Sequence, residues 1–116
     1  MLDLILLPAV LSLALGLGAA RRGEFRTHGH LMVAAIALVG IRLALPFPYL
    51  PRTHRSLGIG LLALAALTIL LGRQALAWRE GRSRRAAFPR IHRAAGAATL
   101  TALTLGAVAW LLWRAS

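Results

Sequence analysis

Four long apolar blocks, separated by short segments that carry arginine, dominate this sequence of 116 residues. They cover about residues 2–20, 30–45, 53–72 and 91–113. An α-helix rises about 1.5 Å per residue, so some 20 apolar residues cross a hydrocarbon core of roughly 30 Å. The pattern predicts an all-α integral membrane protein: a single domain over residues 1–116, in which four transmembrane helices form an up-and-down bundle.

The composition favours a membrane protein over a soluble one. Hydrophobic residues make up 59% of the chain, and the mean hydropathy is +0.71. A soluble domain of 12.4 kDa buries too little of its chain to hide so many apolar side chains. The formal net charge is +11, but the arginines stand at the ends of the apolar blocks, as in membrane proteins. We therefore expect the lipid bilayer, and not nucleic acid, as the partner.

Arginine counts predict the orientation of the helices. If all four blocks span the membrane, the first and third connections share one face with ten arginines, and the other face carries four. The ten-arginine face is expected to be cytoplasmic in a bacterial inner membrane, with both termini outward. The first block is interpreted as a retained helix because it lacks the positively charged start of a signal peptide. Pro8 is expected to kink that helix, and residues 46–51, with three prolines, form a stiff outer connection.

Histidines stand at or just before the start of the second, third and fourth blocks, at His28, His30, His54 and His92. The second and fourth helices of an up-and-down bundle run in the same direction and lie diagonally across its axis. Histidines at the starts of these two helices therefore lie at one depth, on opposite sides of the core. An iron between them can take one imidazole from each side, so we expect haem b to be held by His28 or His30 together with His92.

Two arginines are candidate partners for the haem propionates. Arg93 follows His92 directly, and Arg42 lies near the far end of the second block. An alternative for Arg42 is that its guanidinium snorkels to the outer interface. An alternative for the histidines is an interfacial role, in which the ring caps a helix start or binds lipid phosphate. His54 is alone on its face and is a candidate ligand for a separate metal ion.

No catalytic constellation is present in the sequence. The three acids, Asp3, Glu24 and Glu80, are far apart, and none lies deep inside an apolar block. That spacing gives no basis for paired-carboxylate catalysis or for an intramembrane proton path. Cysteine is absent, which excludes thiolate metal sites. We therefore expect no catalytic activity of the chain's own.

Several short motifs resemble a family of small bacterial membrane proteins linked to haem-copper oxidases, the CtaM-type oxidase maturation factors. The similar motifs are His28-Gly29-His30-Leu31-Met32, Thr53-His54, Arg90-Ile91-His92-Arg93 and Thr104-Leu105-Gly106 with the apolar residues that follow. The resemblance covers about residues 17–113. It implies a place in aerobic respiratory membranes, with His28, His54 and His92 at the positions of the family's histidines. A looser likeness is to transmembrane cytochromes b with paired histidine ligands.

Three functions remain open on this reading. The first is a haem b-binding, cytochrome-like or accessory subunit that passes electrons. The second, which the family resemblance implies, is a factor that handles haem or metal during assembly of a haem-copper oxidase. The third is a cofactor-free structural subunit. In each case the expected partners are other membrane subunits of a respiratory or photosynthetic complex.

Overall fold

The computed structural model describes residues 4–44 and 52–116, and within these ranges it contains four α-helices and no strand. The helices are α1 (Leu6–Arg21), α2 (Phe25–Ala44), α3 (Arg52–Arg79) and α4 (Ala87–Ala115). The predicted all-α architecture of four helices is confirmed. The proline-rich connection between α2 and α3 was predicted for residues that lie outside the described ranges.

Glycine fixes the ends of α1 and α3. Gly23 and Gly81 both adopt left-handed backbone conformations, at φ 78° and φ 74°, which side chains other than glycine rarely tolerate. At each site the glycine amide and the next amide donate back to carbonyls of the last helical turn: Gly23 to Ala20 and Glu24 to Ala19 in the first case. The same pattern recurs around Gly81. Both ends are therefore Schellman caps, which stop each helix abruptly.

α2 begins five residues before the start of its predicted apolar block. The tight turn at Gly23 returns the chain at once, so the helix starts at Phe25, among polar residues. In the structure, Pro8 is at a position where it gives no reason for a kink in α1. Because α1 begins at Leu6, Pro8 lies in the first helical turn, where its missing amide donor costs no intrahelical hydrogen bond.

Consecutive helices pack side by side, and each pair is antiparallel. α1 packs on α2, α2 on α3, and α3 on α4, whereas no Cα of α1 lies within 8 Å of α4 in the described residues. The first and third connections meet at one end, which we call the arginine end. There Arg26 Nη2 donates to Glu80 Oε1 at 2.8 Å, and the Arg79 guanidinium lies 3.9 Å from the centre of the Phe25 ring.

Small side chains fill the interior, and large apolar side chains face outward. The buried residues among those described are Ala9, Gly16, Ala19, Ala35, Ala65, Ala75 and Thr99. No large side chain in the described part of the chain is fully buried. In contrast, exposed large apolar residues occur on every helix, including Val10, Ile41, Leu70 and Leu112. This distribution is the reverse of that in a soluble domain, where large apolar residues are inside.

One helix of the described residues is long and apolar enough to cross a membrane, over Ser56–Arg79. The segment Leu7–Arg21 is also apolar but shorter. Length and composition thus support a span for α3, and the other three spans stay predictions.

Candidate functional site

His28 lies in the first turn of α2 and faces the interior of the bundle. Met32 and Ala35 follow it at four and seven residues, the spacing of one helix face, and Ala35 is buried. The Nδ1 atom of His28 lies 2.8 Å from the carbonyl oxygen of Gly16 in α1. Because a carbonyl only accepts hydrogen bonds, Nδ1 is the donor and carries the ring proton.

His92 occupies the corresponding position in the second hairpin. It lies near the start of α4, and its Nδ1 donates to the carbonyl oxygen of Thr68 in α3 at 2.9 Å. Seven residues further along α4, the buried Thr99 contacts the hydroxyl of Thr68 at 3.0 Å. The α1–α2 and α3–α4 hairpins therefore repeat one arrangement, in which a histidine of the second helix bonds to a backbone carbonyl of the first.

The two histidines meet between the hairpins. Their ring centroids are 6.2 Å apart, and the ring planes are inclined by 73°. Both side chains are partly buried. The predicted meeting of a histidine at the start of α2 with His92 therefore occurs, and His28 is the α2 partner.

The hydrogen bonds place a proton on Nδ1 of both rings. When Nδ1 of a neutral imidazole carries the proton, Nε2 is left with a free lone pair. The two nitrogens of an imidazole point in nearly opposite directions, so each Nε2 points away from the carbonyl that holds its ring. Histidines that bind metals are commonly oriented in this way, with the second nitrogen donating to a backbone carbonyl. The pair is thus arranged so that each ring can offer its Nε2 atom to a metal ion.

Gly72 makes room for His92. A Cβ atom at this position would lie 2.8 Å from Cε1 and 3.1 Å from Nδ1 of His92, closer than packed atoms approach. Gly16 has a similar role in the first hairpin, because a Cβ there would collide with the Met32 side chain and lie 3.2 Å from Leu31 Cβ. Each hairpin therefore has a glycine against the helix that carries its histidine.

A cluster of charges closes the arginine end above the histidine pair. The Glu80 carboxylate accepts hydrogen bonds from Arg82 and from Arg26, which joins the α3–α4 connection to α2. These two guanidinium groups, Arg82 foremost, hold the pKa of Glu80 below its usual value. Arg22 likewise lowers the pKa of Glu24, to which it donates at 2.7 Å.

The other predicted site residues lie apart from the pair. His30 is exposed, since it is two residues from His28 and therefore on another face of α2. Arg93 is exposed beside His92. Arg42 lies in the last turn of α2, fourteen residues and about 21 Å along the helix from His28, so the structure does not bring it to the pair. His54 lies in the first turn of α3, at the opposite end, and its side chain falls outside the described residues.

Sequence reasoning missed the residues that orient the histidines. Nothing in the sequence marks the carbonyls of Gly16 and Thr68 as acceptors, because every residue has a backbone carbonyl, and nothing marks Gly72 as the residue that makes room for His92. The sequence signal for these contacts was the presence of a glycine on each helix that a histidine packs against, at Gly16 and Gly72. No group of three or more His, Asp or Glu side chains suited to a metal ion occurs in the part of the chain that is described.

Comparisons with family models, with curated proteins and with solved structures found no match to this chain.

Proposed function

We propose that this chain is a small integral membrane protein of a respiratory electron-transfer system, in which His28 and His92 hold the iron of one haem b. The observation that carries the proposal is the pairing of the two rings, each held at Nδ1 by a backbone carbonyl of its own hairpin. Haem supplies four nitrogen ligands to its iron, so two protein ligands complete the coordination.

The spacing of the rings fits this role. Two imidazoles that bound one iron through bonds of about 2 Å each would have ring centroids no more than roughly 6 Å apart. The ring centroids of His28 and His92 are 6.2 Å apart. The inclination of 73° between the rings does not prevent both from serving one iron, since an imidazole can rotate about its bond to a metal.

The distribution of side chains supports the membrane part of the proposal. Alanine, glycine and threonine at helix contacts let backbones approach closely, as in helices that associate within lipid. Large apolar side chains on the outside, such as Leu15, Ile59 and Leu105, match a hydrocarbon environment. The arginine end matches the cytoplasmic interface, where positive charge accumulates.

When bound, the haem would supply one-electron redox chemistry. The residues of the chain have separate tasks. His28 and His92 would provide the ligands, and the carbonyls of Gly16 and Thr68 hold the two rings in place through their Nδ1 atoms. Arg93, exposed beside His92, is the candidate partner for a propionate. We expect other membrane subunits to supply the electron donor and the electron acceptor.

The test is an optical spectrum of protein purified in mild detergent from haem-replete cells. We expect a reduced-minus-oxidised haem b spectrum that is lost in both His28→Ala and His92→Ala. The matched control is His30→Ala, which removes an exposed imidazole from the same helix and should leave the spectrum intact.

Two results would contradict the proposal. One is a spectrum that survives in His28→Ala or His92→Ala, which would place the ligands elsewhere. The other is a fully helical but colourless wild-type protein, which would leave the cofactor-free structural role as the better account.

A further inference from the structure

Six arginines of the arginine end form no hydrogen bond or ion pair through the guanidinium group within the described part of the chain: Arg21, Arg73, Arg84, Arg85, Arg90 and Arg93. Three of these, Arg84, Arg85 and Arg90, are exposed and lie in the α3–α4 connection and the first turn of α4. The two glutamates of this end are already engaged, Glu24 by Arg22 and Glu80 by Arg26 and Arg82. The end therefore keeps a surplus of positive charge that the chain cannot neutralise itself.

Exposed apolar and amphipathic side chains occur at the same end of the molecule as these arginines. Ile91 follows Arg90 directly and is 47% exposed, and Trp78, in the last turn of α3, is 38% exposed. Tryptophan with an exposed ring is enriched at the level of lipid headgroups. Further along α4, Leu105 is also exposed and lies on nearly the same helix face as Ile91. Cationic groups at the start of a helix with exposed apolar residues match an amphiphile with an anionic headgroup.

We propose that Arg84, Arg85, Arg90, Ile91 and Trp78 form a binding surface for an anionic phospholipid. The arginines bind the headgroup phosphate, for which the planar guanidinium supplies paired donors. Ile91 and the α4 surface below it contact an acyl chain. The clustering of like charges favours this ligand, since an anion at the cluster relieves their mutual repulsion.

The apolar component distinguishes a lipid from nucleic acid or free phosphate. A nucleic acid would gain from the arginines but not from Ile91 or from the apolar face of α4. Inorganic phosphate would likewise lack a partner for that face. The proposal uses the membrane part of the proposed function and is independent of haem, because none of its five residues belongs to the histidine pair.

The experiment measures lipid binding to the detergent-purified chain by native mass spectrometry and by thermal shift. The probes are phosphatidylglycerol, phosphatidylcholine, glycerol 3-phosphate and a short DNA oligonucleotide. We expect phosphatidylglycerol to bind most tightly. In the triple variant Arg84→Gln/Arg85→Gln/Arg90→Gln, we expect its affinity to fall about fivefold for each arginine removed, or roughly a hundredfold in all.

Two controls separate charge loss from unfolding. Arg114→Gln removes one arginine from the other end of α4 and should leave phosphatidylglycerol binding unchanged. Replacement of the same three residues by lysine keeps the charge and should retain most of the affinity. Circular dichroism of each variant establishes that the helices remain folded.

Several outcomes would overturn the proposal: equal binding of the anionic and zwitterionic lipids, equal binding of glycerol 3-phosphate, tighter binding of the oligonucleotide, or undiminished lipid binding by the triple variant. The haem spectrum of the same samples reports on the histidine pair separately. Loss of lipid preference with an intact spectrum therefore refutes the lipid surface alone.

Discussion

Gly72→Ala tests whether the packing of His92 against α3 is as close as the structure indicates. The new Cβ atom would lie 2.8 Å from Cε1 of His92, whereas packed carbon atoms prefer about 3.5–4.0 Å. The ring must therefore retreat by about 1 Å. Its hydrogen bond to the Thr68 carbonyl, now 2.9 Å long, lies on the same side of the ring and would be stretched or lost.

Three contributions set the size of the effect. Overpacking costs about 1–3 kcal/mol, and the lost hydrogen bond about 1 kcal/mol. Alanine is favoured over glycine inside a helix by about 1 kcal/mol, which acts in the opposite direction. The net expectation is a loss of about 2 kcal/mol in the free energy of unfolding. The assay is unfolding in mild detergent by a denaturing detergent, followed by circular dichroism.

The sign of the change makes the test decisive. Gly60→Ala, in the same helix with no atom within 4 Å of the new Cβ, should stabilise the protein by about 1 kcal/mol. In a His92→Ala background the Gly72→Ala change should also become stabilising, because the obstructing ring is gone. If Gly72→Ala stabilises the wild-type protein as Gly60→Ala does, the proposed contact between α3 and His92 does not exist.

Three further predictions concern other parts of the molecule. Because Glu80 has a lowered pKa in the folded chain, its ion pairs stabilise above the unfolded pKa of about 4.3 and are lost as the pH falls through the folded value. Melting midpoints of wild type and Glu80→Gln should therefore differ most near pH 7 and converge in acid; a constant difference would refute the ion-pair account. Thr99→Val should cost about 1 kcal/mol in unfolding free energy, since it removes a buried hydroxyl that contacts Thr68 at 3.0 Å. Thr101→Val, which loses only a bond within α4 to the Ala97 carbonyl, should cost less, and equal losses would contradict a role for the contact between α3 and α4.

The sequence predicted the helices well because apolar blocks and helix stops are local features. Gly23 and Gly81 end α1 and α3 because glycine can adopt a positive φ. A glycine just after an apolar block is a signal for a helix end that can be read from the sequence. The start of α2 was placed too late, because an apolar pattern cannot reveal that the turn at Gly23 allows a helix to begin among polar residues. The antiparallel order of consecutive helices followed from the alternation of spans and short connections.

For the histidine pair, only the equal depth of the two histidines along the helix axes was predictable from the sequence. Equal depth followed from topology, but the choice between His28 and His30 required the helix face. The sequence does not mark that face, since an alanine follows each histidine seven residues later, at Ala35 and Ala37. The hydrogen bonds from His28 to Gly16 and from His92 to Thr68 depend on backbone atoms of neighbouring helices. Such contacts are a property of packing. The resemblance to oxidase maturation factors stays a prediction.

The most direct test of the central claim is the haem content and coordination state of the purified wild-type chain. We predict one haem b per chain, six-coordinate and low-spin in both oxidation states, because both His28 and His92 would bind its iron. A folded protein that takes up no haem when titrated with it, or that binds it in a five-coordinate, high-spin form, would contradict the account.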